Sequence, residues 1–168
     1  MEKLEIKKYN DPILRQECQL INRIDKEIKD LAQEMLPIMY EQDGIGLAGL
    51  QVGINKQIVV VDIGRGPLVL INPRITQTSK KVSDLVEGCL SFPEIYVKIS
   101  RPDEVVVEAR DLRGNLIEVR GQGLMSHALQ HEIDHLHGRV IIDYLKGFKK
   151  IKAKNKIKKL EKRLNEEN

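Results

Sequence analysis

Leu124-Met125-Ser126-His127-Ala128-Leu129-Gln130-His131-Glu132-Ile133-Asp134-His135-Leu136-His137-Gly138 is the stretch from which the rest of the chain is read. It is predicted helical, with Gly138 as its C-terminal stop. His131 and His135 are four residues apart, so they share one helix face and both reach a single metal ion. Glu132 then lies beside the ion's open position, where it would take a proton from a water. This is chemistry for hydrolysing an amide. The bland alternative is two surface histidines beside a chance Glu. A predicted helix, and only four His in 168 residues, weigh against it.

A hydrolytic ion usually has three protein ligands. His127 lies about 12 Å from His135 along the helix axis, at roughly 1.5 Å per residue, so one ion cannot hold both. It is expected to line the site or face solvent, and His137 to sit at the surface. Gly138 matches the glycine of the metzincin pattern, but Ile141 stands where that pattern needs its third His. Glu161, Glu166 and Glu167 all lie in a basic tail. That leaves Cys89, in Glu87-Gly88-Cys89-Leu90-Ser91. A thiolate suits a borderline or soft divalent ion, and Gly88 allows close approach of another backbone or a substrate. A lone Cys is otherwise a buried, inert hydrophobe, and Cys18 keeps that reading.

Outward from this centre, residues 22–40 carry Ile24, Ile28, Leu31 and Met35 at helical spacing, with Asp25 as the expected N-cap and Pro37 expected to kink or end the helix. Residues 43–49 read as a glycine-bearing loop. Residues 57–63 (QIVVVDI) and 67–72 (PLVLIN) read as strands joined at Gly64-Arg65-Gly66, and 82–90 as a further short strand. Residues 104–110 and 116–120 read as a hairpin about Leu112-Arg113-Gly114-Asn115. Strands do not alternate regularly with helices, which argues against a doubly wound parallel sheet. The expected fold is α+β, with antiparallel β-strands wrapped around a central helix, plus an N-terminal and a C-terminal helix. The length suits one domain. Residues 1–147 would form its catalytic body and 148–168 a basic helix belonging to the same domain.

Aromatics are 4 % of the chain and Trp is absent, so the core must be aliphatic. No run approaches the roughly 20 apolar residues of a membrane span. The charged start Met1-Glu2-Lys3-Leu4-Glu5 lacks the apolar stretch of a secretory signal, so a cytoplasmic protein is expected. Two cysteines in that setting do not suggest a disulfide. The net charge of +3 conceals an asymmetry: residues 146–168 hold ten Lys or Arg against three Glu, a net +7, which leaves the body at −4. Phe148, Ile151, Ile157, Leu160 and Leu164 form a rough apolar stripe there. The tail therefore reads as a helix packed on the body with a solvated lysine face, or as a salt-sensitive contact to RNA phosphates.

Three motifs occur in order: Gly44-Ile45-Gly46-Leu47-Ala48-Gly49-Leu50-Gln51, Glu87-Gly88-Cys89-Leu90-Ser91 and Gln130-His131-Glu132-Ile133-Asp134-His135. In these, the chain resembles the bacterial peptide deformylases, a likeness that runs to at least Leu145. Gly49 stands where the family pattern has alanine, and the lost methyl is expected to loosen local packing without abolishing activity. The resemblance implies removal of the formyl group from N-terminal formyl-methionine of newly made polypeptides, with formate released. It implies that Cys89, His131 and His135 bind the ion, that ion-activated hydroxide attacks the formyl carbon, and that Glu132 is the general acid and base. Gln51 and the Leu90 N–H would face the reacting carbonyl.

On the same reading, the peptide lies extended along Gly44, Ile45 and Gly46, and Ile45 and Leu124 receive the methionine side chain beside His127. Glu87 and Asp134 would support the ligands from behind, unless they are plain solvated or ion-paired carboxylates. The donor set suits Zn²⁺, Fe²⁺, Co²⁺ or Ni²⁺; the resemblance implies Fe²⁺ in the cell and ribosomal RNA as the partner of the tail. Two other readings stand beside this one. A different HExxH peptidase would not need Cys89. A non-enzymatic RNA-binding module would not need the intact Glu132 and Gln51.

Overall fold

The computed structural model describes residues 4–166, except the side chains of 164 and 165. The charged start at 1–3, the side chain of Leu164 at the last apolar position of the tail, and Glu167 lie outside what is described. Helix α1 (Lys26–Glu41) begins where Asp25 accepts the Ile28 N–H at 3.3 Å, so residues 22–25 precede it rather than form its first turn. Pro37 does not end it. Pro37 and Gln33 are exposed, so the Gln33 carbonyl that Pro37 cannot bond faces water.

Strand β1 (Gly46–Ala48) occupies what was expected to be loop. Its backbone is buried and must find partners. It pairs antiparallel with β2 (Ile58–Val61), setting Gly46 opposite Val61 and Ala48 opposite Val59. A 3-10 turn, Gly49–Val52, follows β1. β2 returns into β3 (Leu68–Thr78) through a turn in which Asp62 Oδ1 accepts the N–H groups of Gly64, Arg65 and Gly66. β3 runs six residues past the expected end at Asn72. Its pairing with β6 (Glu104–Arg110) slips between Ile71 and Arg74, which spans Pro73, a residue that cannot donate to the ladder. β6 and β7 (Leu116–Gln122) form the expected hairpin, tied at its turn by Asp111 accepting the Arg113 and Asn115 N–H groups.

The sheet order is β1-β2-β3-β6-β7, antiparallel throughout. A separate pair joins β4 (Val82–Glu87) to β5 (Val97–Pro102), a strand the reading above does not contain. β4 stops at Glu87, so Cys89 sits in a loop rather than in a strand.

Helix α2 (Leu124–Leu136) is central: residues 126–136 are all buried. Gly138 adopts φ +66 and the Arg139 N–H returns to the Asp134 carbonyl, the expected glycine stop. Alternation along β2 sends Val59 and Val61 to a core shared with Leu129, Ile133 and Leu136 of α2, and Ile58 and Val60 to a core shared with Leu31, Met35 and Met39 of α1. A third core gathers Tyr9, Phe92, Ile99 and Ile142 with Ile157 and Leu160 of α3 (Gly147–Glu166). The tail is thus a helix packed on the body, though by a narrower stripe than expected: Phe148 is 78 % and Ile151 57 % exposed. The α+β architecture with three helices is as the sequence predicts. No described helix is long and apolar enough to cross a membrane.

Candidate metal centre

One turn of α2 brings His131 Nε2 and His135 Nε2 to 3.3 Å, and the loop after β4 places Cys89 Sγ 3.3 Å from His135 Nε2. All three donor atoms lie within 4.8 Å of one another, the one such cluster among the described residues. Around a tetrahedral ion with bonds of about 2.0–2.3 Å, donors stand roughly 3.3–3.6 Å apart, which the two 3.3 Å separations from His135 match. The protonation chemistry fits as well. His131 Nδ1 bonds Glu87 Oε2 at 2.9 Å, which fixes the ring so that the Nε2 lone pair faces the cluster. Burial, then the nearby His131 and Arg101, pushes the pKa of His135 well below its ordinary value and keeps it neutral. Burial also opposes charge on His131, but Cys89 and Glu87 outweigh it and raise its pKa, so binding an ion here releases a proton. The residues fit a divalent ion.

His127 is not part of the cluster, as helix geometry demands. Its ring is 2 % exposed and lies between Glu87 Oε1, 2.8 Å from Nδ1, and Ser83 Oγ, 3.1 Å from Nε2. His137 is at the surface, 2.6 Å from Glu17. Cys18 is a buried core residue, its thiol pKa pushed up to about 12 by burial.

Glu132 is buried, and its Oε2 finds no hydrogen-bond partner among the described residues. Burial raises its pKa to about 7, against the lowering effect of His131. Gly46 makes room for it: a Cβ at that position would lie 2.3 Å from Glu132 Oε1. Gln51 is held from both ends. Its Oε1 accepts the Ala48 N–H at 2.8 Å, and its Nε2 donates to Cys89 Sγ at 3.5 Å, so the amide presents its N–H side to the centre. Leu90 packs against Gly44, where a Cβ would meet Leu90 Cδ1 at 2.7 Å.

Behind the donor cluster lies a charged group built around Arg101, which sequence reasoning missed. Its Nε and Nη2 donate to the two oxygens of Glu87 at 2.7 and 3.0 Å, and its Nη1 to Asp134 at 2.8 Å. Tyr144 donates to Asp134 at 2.6 Å and lies under the guanidinium. Burial works against the ionised Glu87, yet His131, Arg101 and His127 together lower its pKa to about 2. Glu87 and Asp134 are therefore buried, ion-paired carboxylates, and Glu87 directly supports His131. Arg101 was detectable: it shares the inward phase of β5 with Val97 and Ile99, where an apolar side chain belongs.

A cleft of about 550 Å³ opens over the centre, lined by Cys89, His131, Glu132 and Gln51 together with Gly44, Ile45, Gly46, Leu124 and His127. A larger surface groove, about 810 Å³, runs past Ile63, Leu68 and Val119 and holds none of these residues.

The family model for polypeptide deformylase matches residues 3–151. A peptide deformylase of Endomicrobium trichonymphae is 42 % identical over 165 residues, which cover 96 % of this chain and 98 % of that one. The chain belongs to the peptide deformylase family. A second relative, peptide deformylase 2 of Gloeobacter violaceus, is 48 % identical over 145 residues, 83 % of this chain and 78 % of that one. Among solved structures, a peptide deformylase from Legionella pneumophila superposes with a TM-score of 0.91 at 33 % identity, covering 98 % of both chains. One from Synechococcus elongatus, in complex with actinonin, does so with a TM-score of 0.87 at 39 % identity, covering 94 % of this chain and 87 % of that one.

As a deformylase, the chain is a metal-dependent hydrolase that removes N-formyl groups from newly made polypeptides. One expectation about it is corrected. Gly49 does not loosen packing: a Cβ there would meet Lys56 O at 2.6 Å and Ile54 O at 2.8 Å, so backbone fills the space an alanine methyl would need.

Proposed function

We propose that Cys89, His131 and His135 hold one divalent ion, and that Glu132 moves the proton in deformylation. The observation that carries this is a buried carboxylate with a free oxygen, lining the same cleft as two of three converging donor atoms. Such an ion supplies Lewis acidity, lowering the pKa of a water and polarising the formyl carbonyl. Glu132 accepts a proton from that water as its oxygen adds to the formyl carbon. It then delivers the proton to the amine nitrogen as the C–N bond breaks, leaving formate and a free N-terminus. The Gln51 amide N–H and the Leu90 backbone N–H steady the negative charge that builds on the formyl oxygen. The extended backbone of Gly44–Gly46 receives the peptide, and Ile45 and Leu124 contact its methionine side chain.

Two imidazoles and a thiolate accept Fe²⁺, our choice for the cell, as well as Zn²⁺, Ni²⁺ or Co²⁺ after purification. Formyl-methionyl nascent chains place the work in the cytoplasm, within a single domain of a body (1–147) and a basic helix (148–168). The lysine face of α3 offers a contact for ribosomal RNA. The test is anaerobic formate release from a formyl-methionyl peptide. Glu132→Ala is expected to keep its metal and lose at least about 10²-fold in kcat; Cys89→Ala is expected to lose metal and turnover together. A fully active Cys89→Ala, or no formate with any of the four ions, would overturn the assignment.

A further inference from the structure

Glu87 is the last residue of β4, between the exposed Val86 and Gly88 at the mouth of the cleft. A carboxylate at such a strand end has rotamers to choose from, and water competes for its oxygens. Here it does one job that tolerates no freedom: its Oε2 takes the Nδ1 side of His131. Its remaining contacts show how it is held. Arg101 spans both oxygens and so sets the plane of the carboxylate. That leaves one further site on each oxygen. His131 takes the one on Oε2, and His127 Nδ1 takes the one on Oε1 at 2.8 Å.

His127 is itself pinned. Its Nε2 lies 3.1 Å from the hydroxyl of Ser83, four residues before Glu87 on the same face of β4. A connected polar chain therefore runs from the strand surface through His127 to the metal ligand. Its order, Ser83, His127, Glu87, imitates a nucleophile, a base and an acid. Ser83 does not line the cleft, however, and Glu87 is already engaged by Arg101 and His131.

We propose that His127 is a positioning residue for the metal centre: by occupying Glu87 Oε1 it keeps Oε2 on His131 Nδ1, and so keeps His131 Nε2 turned toward Cys89 and His135. Because the same ring lines the cleft beside Leu124, the wall of the substrate site and the aim of a metal ligand share one side chain. The proposal rests on the ligand assignment made above.

The test uses the full chain, with Co²⁺ titrated anaerobically against a competing chelator, and kcat and KM measured at saturating Co²⁺. His127→Leu keeps an apolar wall but cannot donate to Glu87. It is expected to bind Co²⁺ about tenfold more weakly, at the lower end for residues supporting a ligand, and to lose kcat with little change in KM. His127→Gln, whose amide N–H can replace the Nδ1 donor, is expected to recover most of the Co²⁺ affinity. A purely structural role predicts instead a lower Tm with unchanged Co²⁺ affinity, and no recovery by Gln; either result overturns the proposal. Should His127→Leu not fold, Ser83→Ala frees the far side of the ring and is expected to weaken Co²⁺ binding, and unchanged binding would count against us. If the unsubstituted protein binds no Co²⁺, the ligand assignment itself fails and takes this proposal with it.

Discussion

At the residue scale, a few ångströms around Glu132 set the terms. Gly46 matters because of what it lacks, since any Cβ there would press on the Glu132 carboxylate. Gly46→Ala is therefore expected to displace Glu132 and lower kcat by about 10²-fold, the usual cost of a 1 Å misplacement, while Co²⁺ binding is retained. Formate release and Co²⁺ titration on the same preparation check it. Glu87 carries a pH dependence whose sign is definite. Its folded pKa of about 2 lies below the ordinary 4.5, so its contribution to stability is complete above about pH 4.5 and fades as pH falls toward 2. At full strength it is on the order of 3 kcal/mol. Urea unfolding of the metal-free protein between pH 7 and pH 3 should show this decline, and Glu87→Gln should flatten it. The convergence of His131 and His135 on one helix face was legible because an i, i+4 pair needs no tertiary information. Cys89 was reached by elimination, 42 residues away from His131. The roles of Arg101 and Tyr144 were not read, since nothing local marks which carboxylates a buried guanidinium will meet.

At the scale of elements, most expectations fail at the edges. β1 was read as loop because its glycines signal turns, yet its buried backbone pairs with β2. β5 was missed because Arg101 takes an inward position where an apolar residue would have completed the alternation begun by Val97 and Ile99. β3 was cut short at Pro73, which the strand accommodates by a register slip. Gly49 gives the element-scale prediction. The family pattern places alanine there, but in this chain the carbonyls of Ile54 and Lys56 lie too close. Gly49→Ala is expected to destabilise the protein by about 1–3 kcal/mol, as overpacking does. Thermal unfolding checks it; an unchanged or higher Tm would mean that residues 54–56 yield freely.

At the scale of the whole molecule, the ion and the fold should stabilise each other. The donor cluster draws on α2 and on the loop after β4, two parts of the chain brought together only in the native state. An ion that binds only that state adds stability by mass action, about 2.7 kcal/mol at a hundredfold excess over Kd. Adding chelator is expected to lower Tm in the unsubstituted protein and to leave the Tm of Cys89→Ala unmoved. Equal Tm values with and without chelator would refute that coupling. By itself, the sequence determined the HExxH face of α2, the aliphatic character of the core, the α+β class and the hairpin about Gly114. These follow from periodicity and turn chemistry, which act over a few residues. Only the tertiary structure decided that Gly46 must be bare, that Gly49 has no spare room, that α3 docks through Ile157 and Leu160, and that one carboxylate, Glu87, joins His127 and Arg101 to His131. These depend on distances between segments far apart in the chain, which packing and hydrogen bonding set only once the sheet has closed over α2.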